Sequence, residues 1–252
     1  MRCSMSDWLC LTKITAKHTM KKSDIVFMAC VAALLVPFFV SDTLFNCYKE
    51  CNAAHPYIMA FIKFMILSSI GEMLGLRIKQ GVYTYNGFGI MSRAIVWGVL
   101  GVMIAVAMKI FSAGVPVMLE SCGLAGMVDA MREPLSWAKF VDALCISTAM
   151  NCFFAPMFMT LHKITDTHIL NCGGKLTSLV TPIKFGDIIS SLNWKVQWNF
   201  VFKRTIPLFW IPAHTITFML PAAYQVLFAA SLSIVLGLLL SVAAVMSNNK
   251  QK

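Results

Sequence analysis

The chain has 252 residues, of which 58% are hydrophobic and 13% are charged, and its formal net charge is +10. Soluble domains carry about 25% charged residues, so this composition excludes an ordinary soluble protein and predicts an integral membrane protein. The mean hydropathy of +0.74 agrees with that prediction. The basic residues lie between the apolar runs rather than on one face, which argues against nucleic acid as a partner.

Six apolar runs predict an all-α fold, a polytopic transmembrane helix bundle of about six spans. Each run is close to the ~20 residues that a helix needs to cross a bilayer. Helices are expected because lipid cannot satisfy open backbone groups and the runs lack the period-2 alternation of a barrel. Pro37 is expected to kink the first span. The predicted spans are residues 25–45, 57–76, 94–112, 138–161, 200–220 and 222–246.

These spans are expected to form a single transmembrane domain, 25–246, between a basic N-terminal segment, 1–24, and a polar tail, 247–252. Lys and Arg are concentrated in alternate connections, a pattern that places both termini on the cytoplasmic side of a membrane whose identity the pattern does not specify. The lipid bilayer is therefore the expected partner, with anionic headgroups at the basic loops. Assembly with further copies of the chain is compatible with this pattern.

Two connections are predicted to lie along the membrane surface. Residues 183–197 carry apolar side chains at helical spacing, with polar residues on the remaining circumference. This pattern is typical of an interfacial amphipathic helix just before span five. Residues 113–137 are Gly-rich and half apolar, which indicates a surface-lying or partly re-entrant connector.

The charged residues inside the apolar runs are the candidate functional residues. An unpaired charge in hydrocarbon costs several kcal/mol, so Glu72, near the inner end of span two, is expected to face protein or water. Arg93 begins span three across a short basic hairpin and is its nearest predicted partner. Two interpretations stay open: an ion pair that pins two helices, or a polar group that lines a permeation path.

Five further polar residues in the spans receive predictions. Asn151 is expected to hydrogen-bond to another helix, and His214 either lines a path or is hydrogen-bonded within a kinked packing helix. Lys63 faces away from Glu72 on the same span and is expected to extend toward the outer interface. Asp142, early in span four, and Lys109, late in span three, are compatible with an interfacial position and with pairing to a neighbouring side chain.

Small residues and prolines mark the expected helix contacts. Gly71 and Gly75 form a GxxxG arrangement that lets a neighbouring backbone approach closely. The remaining helix-packing candidates are Gly98, Pro212 and Pro221.

No motif in the sequence indicates catalysis. It lacks GxSxG, P-loop, HExxH and helix-opening GxGxxG patterns, so we expect no enzyme, cofactor or metal site. Cys47 and Cys51 are spaced i,i+4, which allows a local disulfide or a metal contact as well as two thiols.

The C-terminal third, WIPAHTITFMLPAAYQVL followed by GLLLS, resembles the peroxisomal membrane protein 22 kDa family, whose founding member is Mpv-seventeen. The resemblance extends to Gly71-Glu72 and to Arg93 followed by Gly98, and it covers roughly residues 57–245. The chain departs from the family where Thr217 replaces Asn and Gln225 replaces Arg. The matching positions in the last segment are Trp210, Pro212, Phe218, Pro221, Tyr224, Leu240 and Ser241.

The resemblance implies a small multi-span protein of an organelle membrane, of a family in which some members have channel-like conductance. Together with the composition, it predicts a channel-like or transport-related protein of low selectivity. The alternative is a structural or assembly membrane protein in which the same polar residues only hold helices together.

Overall fold

A computed structural model describes residues 21–249 of the chain. The structure is 82% helical, and its described part contains no strand, so the predicted all-α class is confirmed. Residues 1–20 and 250–252, which include most of the predicted basic segment and part of the predicted polar tail, lie outside the described residues. The chain divides into two compact units, with the boundary between Glu50 and Cys51.

Helices follow one another along most of the described residues. In chain order they are α1 (Lys22–Leu35), α2 (Pro37–Val40), α3 (Asp42–Ala54), α4 (Pro56–Gln80), α5 (Ile90–Ser121), α6 (Met127–Ala130), α7 (Trp137–Phe153), α8 (Ala155–Asn171), α9 (Phe185–Ser191), α10 (Trp194–Val196), α11 (Gln197–Trp210), α12 (Ile211–Met219) and α13 (Ala222–Asn249). A 3₁₀ turn at Leu176–Leu179 follows α8.

The run predicted as one kinked span, 25–45, forms three short helices. Pro37 interrupts the helix as predicted, because proline has no N–H to continue the hydrogen-bond ladder. A second break follows at Ser41, where the backbone is extended. Cys47 and Cys51 are both present as thiols rather than as a disulfide.

The centre of the second unit is built around α4, which packs on both α5 and α13. Glycines allow close contact with each neighbour. The ring of Phe61 lies over Gly98, and the side chain of Phe64 lies over Gly101 on α5. On the other side, the backbone of α13 lies directly against Gly71. Small residues thus bring three helices close together, as helix packing in membranes requires.

The helix predicted over 138–161 is instead a bent pair that continues to Asn171. The α7 and α8 helices meet at Phe154 with a bend of 46°, and Pro156 lies in the first turn of α8. Proline at this position removes an intrahelical donor and accounts for the bend. The bend turns α8 toward α5, and this placement is the basis of the candidate site.

The structure differs from the prediction in two connections, residues 113–137 and residues 183–197. The α5 helix runs to Ser121 with Pro116 inside, so the third span is longer than the predicted 94–112 and includes part of the connector 113–137. The predicted interfacial helix 183–197 is broken: α9 ends at Ser191, and Asn193 caps α10 by accepting a hydrogen bond from the Val196 N–H. A side-chain cap starts a new helix and therefore ends continuity with the preceding one.

The predicted fifth span is formed by two helices of different winding. The backbone of α11 is a wide π-helix, in which the Ile211 N–H donates to the Ile206 carbonyl, and it contains Pro207. The following α12 is α-helical with Pro212 in its first turn, and it ends before Pro221. π-helices are rare, and most of them are single turns inside α-helices.

Among the described residues, α4 and α5 are long and apolar enough to cross a membrane, and the bent pair α7–α8 adds a third candidate if it forms one span. The α13 helix is also apolar over Ala222–Val235. The structure therefore supports a membrane protein with two or three such spans by length and composition. The count of six stays a prediction.

The contact at Gly71 makes a specific stability prediction. A Cβ added there would lie 2.8 Å from the Ser233 carbonyl oxygen and 2.9 Å from the Ile234 Cα, which are backbone atoms that move little. We expect Gly71→Ala to lower the free energy of unfolding by about 1–3 kcal/mol, measured by thermal or chemical denaturation in detergent.

Gly114→Ala is the matched control, because no atom lies within 4 Å of its added Cβ. Since alanine favours a helix interior over glycine, this control should be neutral or stabilise the protein by up to about 1 kcal/mol. Equal losses in both variants would contradict the close packing of α4 on α13.

Candidate functional site

Glu72 lies at the centre of a charged cluster formed by three helices. It is on α4, eight residues before the helix ends at Gln80, which is about 12 Å of helical rise. Its side chain is only 15% exposed, so its charge depends on protein partners. The Arg93 Nη1 donates to Glu72 Oε2 at 3.0 Å, and the Trp97 Nε1–H donates to Oε1 at 2.7 Å. Both carboxylate oxygens are therefore bound from α5.

Arg93 joins two carboxylates. Its side chain is 7% exposed and forms an ion pair with Asp166 of α8 in addition to the pair with Glu72. The Nε–H donates to the Phe88 carbonyl at 2.8 Å, and the guanidinium lies 4.4 Å from the centre of the Phe88 ring. These contacts hold the guanidinium in one orientation, so that it bridges α4 and α8.

The α8 helix contributes His162 and Asp166 on one face, because residues four apart are neighbours on a helix. The His162 Nε2 lies 3.5 Å from Glu72 Oε1, and its ring centre is 4.4 Å from that of Trp97. Asp166 also lies 3.6 Å from the Lys163 ammonium, which is itself 53% exposed. The set of five side chains from the three helices is called the charged cluster below: Glu72, Arg93, Trp97, His162 and Asp166.

Glycines at the start of α5 and after α8 bring the two helices together. Gly89 (φ 73°) precedes α5, and Gly174 (φ 69°) follows α8; both adopt the left-handed conformation that glycine tolerates best. A Cβ on Gly89 would lie 2.8 Å from the Gly174 Cα, so the two loops are in backbone contact. The Ser92 hydroxyl adds a hydrogen bond to the Lys175 carbonyl at 3.1 Å. This contact fixes the end of α8 beside the start of α5.

A small cavity lies within the charged cluster. Its free volume is about 10 Å³, and besides the cluster residues it is lined by Val96, Thr165 and Ile169. A volume of about 10–15 Å³ is what one water molecule requires. The site is therefore polar, closely packed and large enough for about one water molecule.

Trp97 contributes a hydrogen bond to a charged acceptor, and such bonds stabilise proteins by about 1.5–3 kcal/mol. We expect Trp97→Phe, which removes the indole N–H and keeps an aromatic ring, to lower the free energy of unfolding by that amount. Trp137→Phe is the control, because Trp137 is 78% exposed. Chemical denaturation in detergent measures both. A loss no larger than that of the control would contradict the Trp97–Glu72 hydrogen bond.

The other predicted polar residues lie outside the charged cluster. Asn151 is buried on α7 and donates to the Ser147 carbonyl of its own helix at 2.9 Å, so the predicted bond to another helix is wrong for this donor. The interhelical bond comes from Ser147, whose hydroxyl donates to the Ile211 carbonyl at 2.7 Å. His214 is buried and stacks on Trp210, with ring centres 5.3 Å apart. Its Nδ1 has no hydrogen-bond partner among the described residues.

Two further charged residues in the predicted spans, Lys63 and Asp142, are buried, and their expected positions near an interface stay predictions. The side chain of Lys63 is buried, and its ammonium donates to Asn52 Oδ1, on the helix before α4, at 2.6 Å. Asp142 is 0% exposed. Neither of its carboxylate oxygens has a hydrogen-bond partner in the part of the chain that the structure describes.

His162, Asp166 and Trp97 belong to the site but were not among the residues predicted from the sequence. The stretch 162–171 is mostly polar and lies beyond a proline, a pattern that predicts a basic connection rather than a helix. The i,i+4 spacing of His162 and Asp166 is the signal that could have placed them together.

No family model matches the chain, and neither does any curated protein or any solved structure. The resemblance to the peroxisomal membrane protein 22 kDa family therefore stays a prediction. The candidate site is therefore supported by the geometry of its side chains alone.

Proposed function

We propose that this chain is an integral membrane protein, with a channel-like or transport function, in which the charged cluster is the polar site on the transport path. The observation that supports the proposal is the burial of Glu72, Arg93 and Asp166 between α4, α5 and α8. Ionisable groups are expensive inside a membrane, and those present usually mark ion, proton or substrate pathways. The proposal includes about six spans, with α11–α12 and α13 as the last two.

The alternative is a structural membrane protein in which the charged cluster holds three helices together. Two observations favour this alternative: Arg93 lies beside both carboxylates of the cluster, and the cavity has room for only about one water molecule. A buried ion pair can fix one arrangement of helices without any transport role. The two functions therefore differ in flux across a membrane rather than in stability.

Flux measurements on the purified full chain in liposomes separate the two functions. We expect the wild-type protein to pass small ions or polar solutes, and Glu72→Gln to lower that flux strongly because the cluster loses a charge. Glu133→Gln is the matched control, because this carboxylate is on an exposed connection. If wild-type vesicles are as tight as protein-free vesicles and Glu72→Gln lowers only thermal stability, the transport proposal is wrong.

A further inference from the structure

The size of the cavity limits what can occupy the charged cluster. About 10 Å³ of free volume accommodates one water molecule and excludes a hydrated ion or an organic solute. A larger occupant would have to separate α5 from α8, and these helices are joined by the Arg93–Asp166 ion pair. A species that is transferred from one existing side chain to another, directly or through one water molecule, needs no additional volume.

The charges of the cluster disfavour ions of both signs. A metal cation that entered would meet the Arg93 guanidinium, which lies between the two carboxylates. An anion would be repelled by the Glu72 and Asp166 carboxylates, which already form ion pairs with that guanidinium. Either ion would need to break a buried ion pair, which is strongly unfavourable because it leaves a buried charge without its partner.

His162 has the position and chemistry to exchange a proton with Glu72. Its side chain is 29% exposed, more than those of Glu72, Arg93 or Asp166, so it connects the interior of the cluster with its surroundings. Imidazole is the ordinary side chain that changes charge between about pH 5 and 8. At 3.5 Å, its Nε2 needs only a small movement, or one bridging water, to bond to Glu72 Oε1.

The helices around His162 present charges of both signs, and these set the electrostatic surroundings of the imidazole. Lys79 lies within electrostatic range of Glu72, Lys163 and Asp166. The charged side chains in ion-pair or electrostatic contact within and around the cluster are Glu72 and Lys79 on α4, Arg93 on α5, and Lys163 and Asp166 on α8 itself.

We infer that the species bound and released at the charged cluster is a proton, which His162 takes up and Glu72 balances. In uptake, an O–H bond of hydronium breaks, leaving water, and an N–H bond forms on the neutral imidazole. The resulting imidazolium is held by the Glu72 carboxylate. In release, the same N–H bond breaks and the proton returns to water. This inference rests on the proposed transport function and narrows its substrate to protons.

Liposomes that contain the purified full chain and a trapped pH-sensitive dye test the inference. We expect a pH gradient to collapse faster than in protein-free vesicles, with no increase in K⁺ or Cl⁻ flux. His162→Gln should lower the proton flux about tenfold or more, because glutamine keeps the polarity but carries no proton. His55→Gln is the control, since His55 is exposed at the other end of α4.

The outcomes distinguish this inference from the proposed function. K⁺ or Cl⁻ flux without proton flux would leave the transport proposal standing and overturn the proton inference. Proton flux that His162→Gln leaves unchanged would overturn the role of His162. The absence of any flux would overturn both proposals.

The fluorescence of Trp97 provides a second measurement that does not depend on flux. Because the His162 ring lies 4.4 Å from Trp97, a change of imidazole charge should change the indole emission. We expect the emission in detergent to change with pH, and the part of that change which Trp97→Phe removes is the Trp97 signal. The Trp97 signal should lose its pH dependence in His162→Gln and keep it in His55→Gln. A Trp97 signal that still depends on pH in His162→Gln would overturn the inference, because another group beside Trp97 would then take up the proton.

Discussion

Arg93→Met is expected to destabilise the protein by about 3–5 kcal/mol, the largest loss of stability that we predict for this chain. Methionine keeps an apolar side chain of similar length but removes the guanidinium that contacts both Glu72 and Asp166. Two carboxylates would then lie close together at 15% exposure, and each would lose its main counter-charge. Thermal or chemical unfolding of the purified protein in detergent measures the loss.

Arg132→Met is the matched control for Arg93→Met. Arg132 forms an ion pair with Asp129 at 3.3 Å, but the two side chains are 79% and 73% exposed. Exposed ion pairs contribute only about 0–1 kcal/mol, so this variant should unfold almost like the wild type. Arg93→Lys should fall between the two, because an ammonium keeps the charge but loses the fixed fork of donors. Similar stability of Arg93→Met and Arg132→Met would show that the buried charged cluster does not exist.

Asp142→Leu is expected to have the opposite sign and to stabilise the protein by about 1–3 kcal/mol. The Asp142 side chain is 0% exposed, and its two oxygens have no hydrogen-bond partner within residues 21–249. Whether it is charged or protonated, the carboxyl group has lost its water without a replacement. Leucine has a similar shape and no polar atoms, so it removes this cost. The midpoint of thermal unfolding in detergent should rise.

Two comparisons make the Asp142 prediction specific. Asp142→Asn should stabilise less than Asp142→Leu, because the amide is uncharged but still polar. Asp129→Leu, at an exposed position, should change stability by no more than about 0.5 kcal/mol. Destabilisation by Asp142→Leu would mean that the carboxyl group has a partner in the folded protein, and it would place Asp142 in a polar network.

The pairing of Glu72 with Arg93 could be predicted because the two residues belong to neighbouring helices joined by a short hairpin. The hairpin, residues 81–89, is short, so the end of α4 lies beside the start of α5 however the other helices pack. A charged side chain surrounded by hydrocarbon has few possible partners, and Arg93 is the basic residue nearest to Glu72 at the start of the next predicted helix. Local connectivity therefore determines this part of the site.

The third helix of the site could not be predicted in the same way. Asp166 and His162 reach Arg93 and Glu72 only because α7 and α8 bend by 46° and because the loops before α5 and after α8 meet. Hydropathy alone does not distinguish a polar helix that faces a charged partner from a polar loop. The segment after span four, which the sequence predicts to be a basic connection, therefore contains His162 and Asp166 of the site.

Burial of single polar residues is also difficult to predict from helical spacing. Rotation along α4 indicates that Lys63 and Glu72 face different directions, but it does not reveal Asn52 as the partner of Lys63. The sequence predicts a bond to another helix for Asn151, whereas Ser147, one turn earlier, makes that bond. Which of two neighbouring polar groups reaches another helix depends on packing distances that a periodic pattern does not contain.

Extraction of membranes at alkaline pH, from cells that express the full chain, tests most directly whether α4, α5 and α8 hold the charged cluster inside a bilayer. We predict that the protein stays with the sedimented membranes and is released only by detergent, because its apolar helices are surrounded by hydrocarbon. Recovery of the chain in the aqueous supernatant, as a monodisperse particle without detergent, would contradict the account.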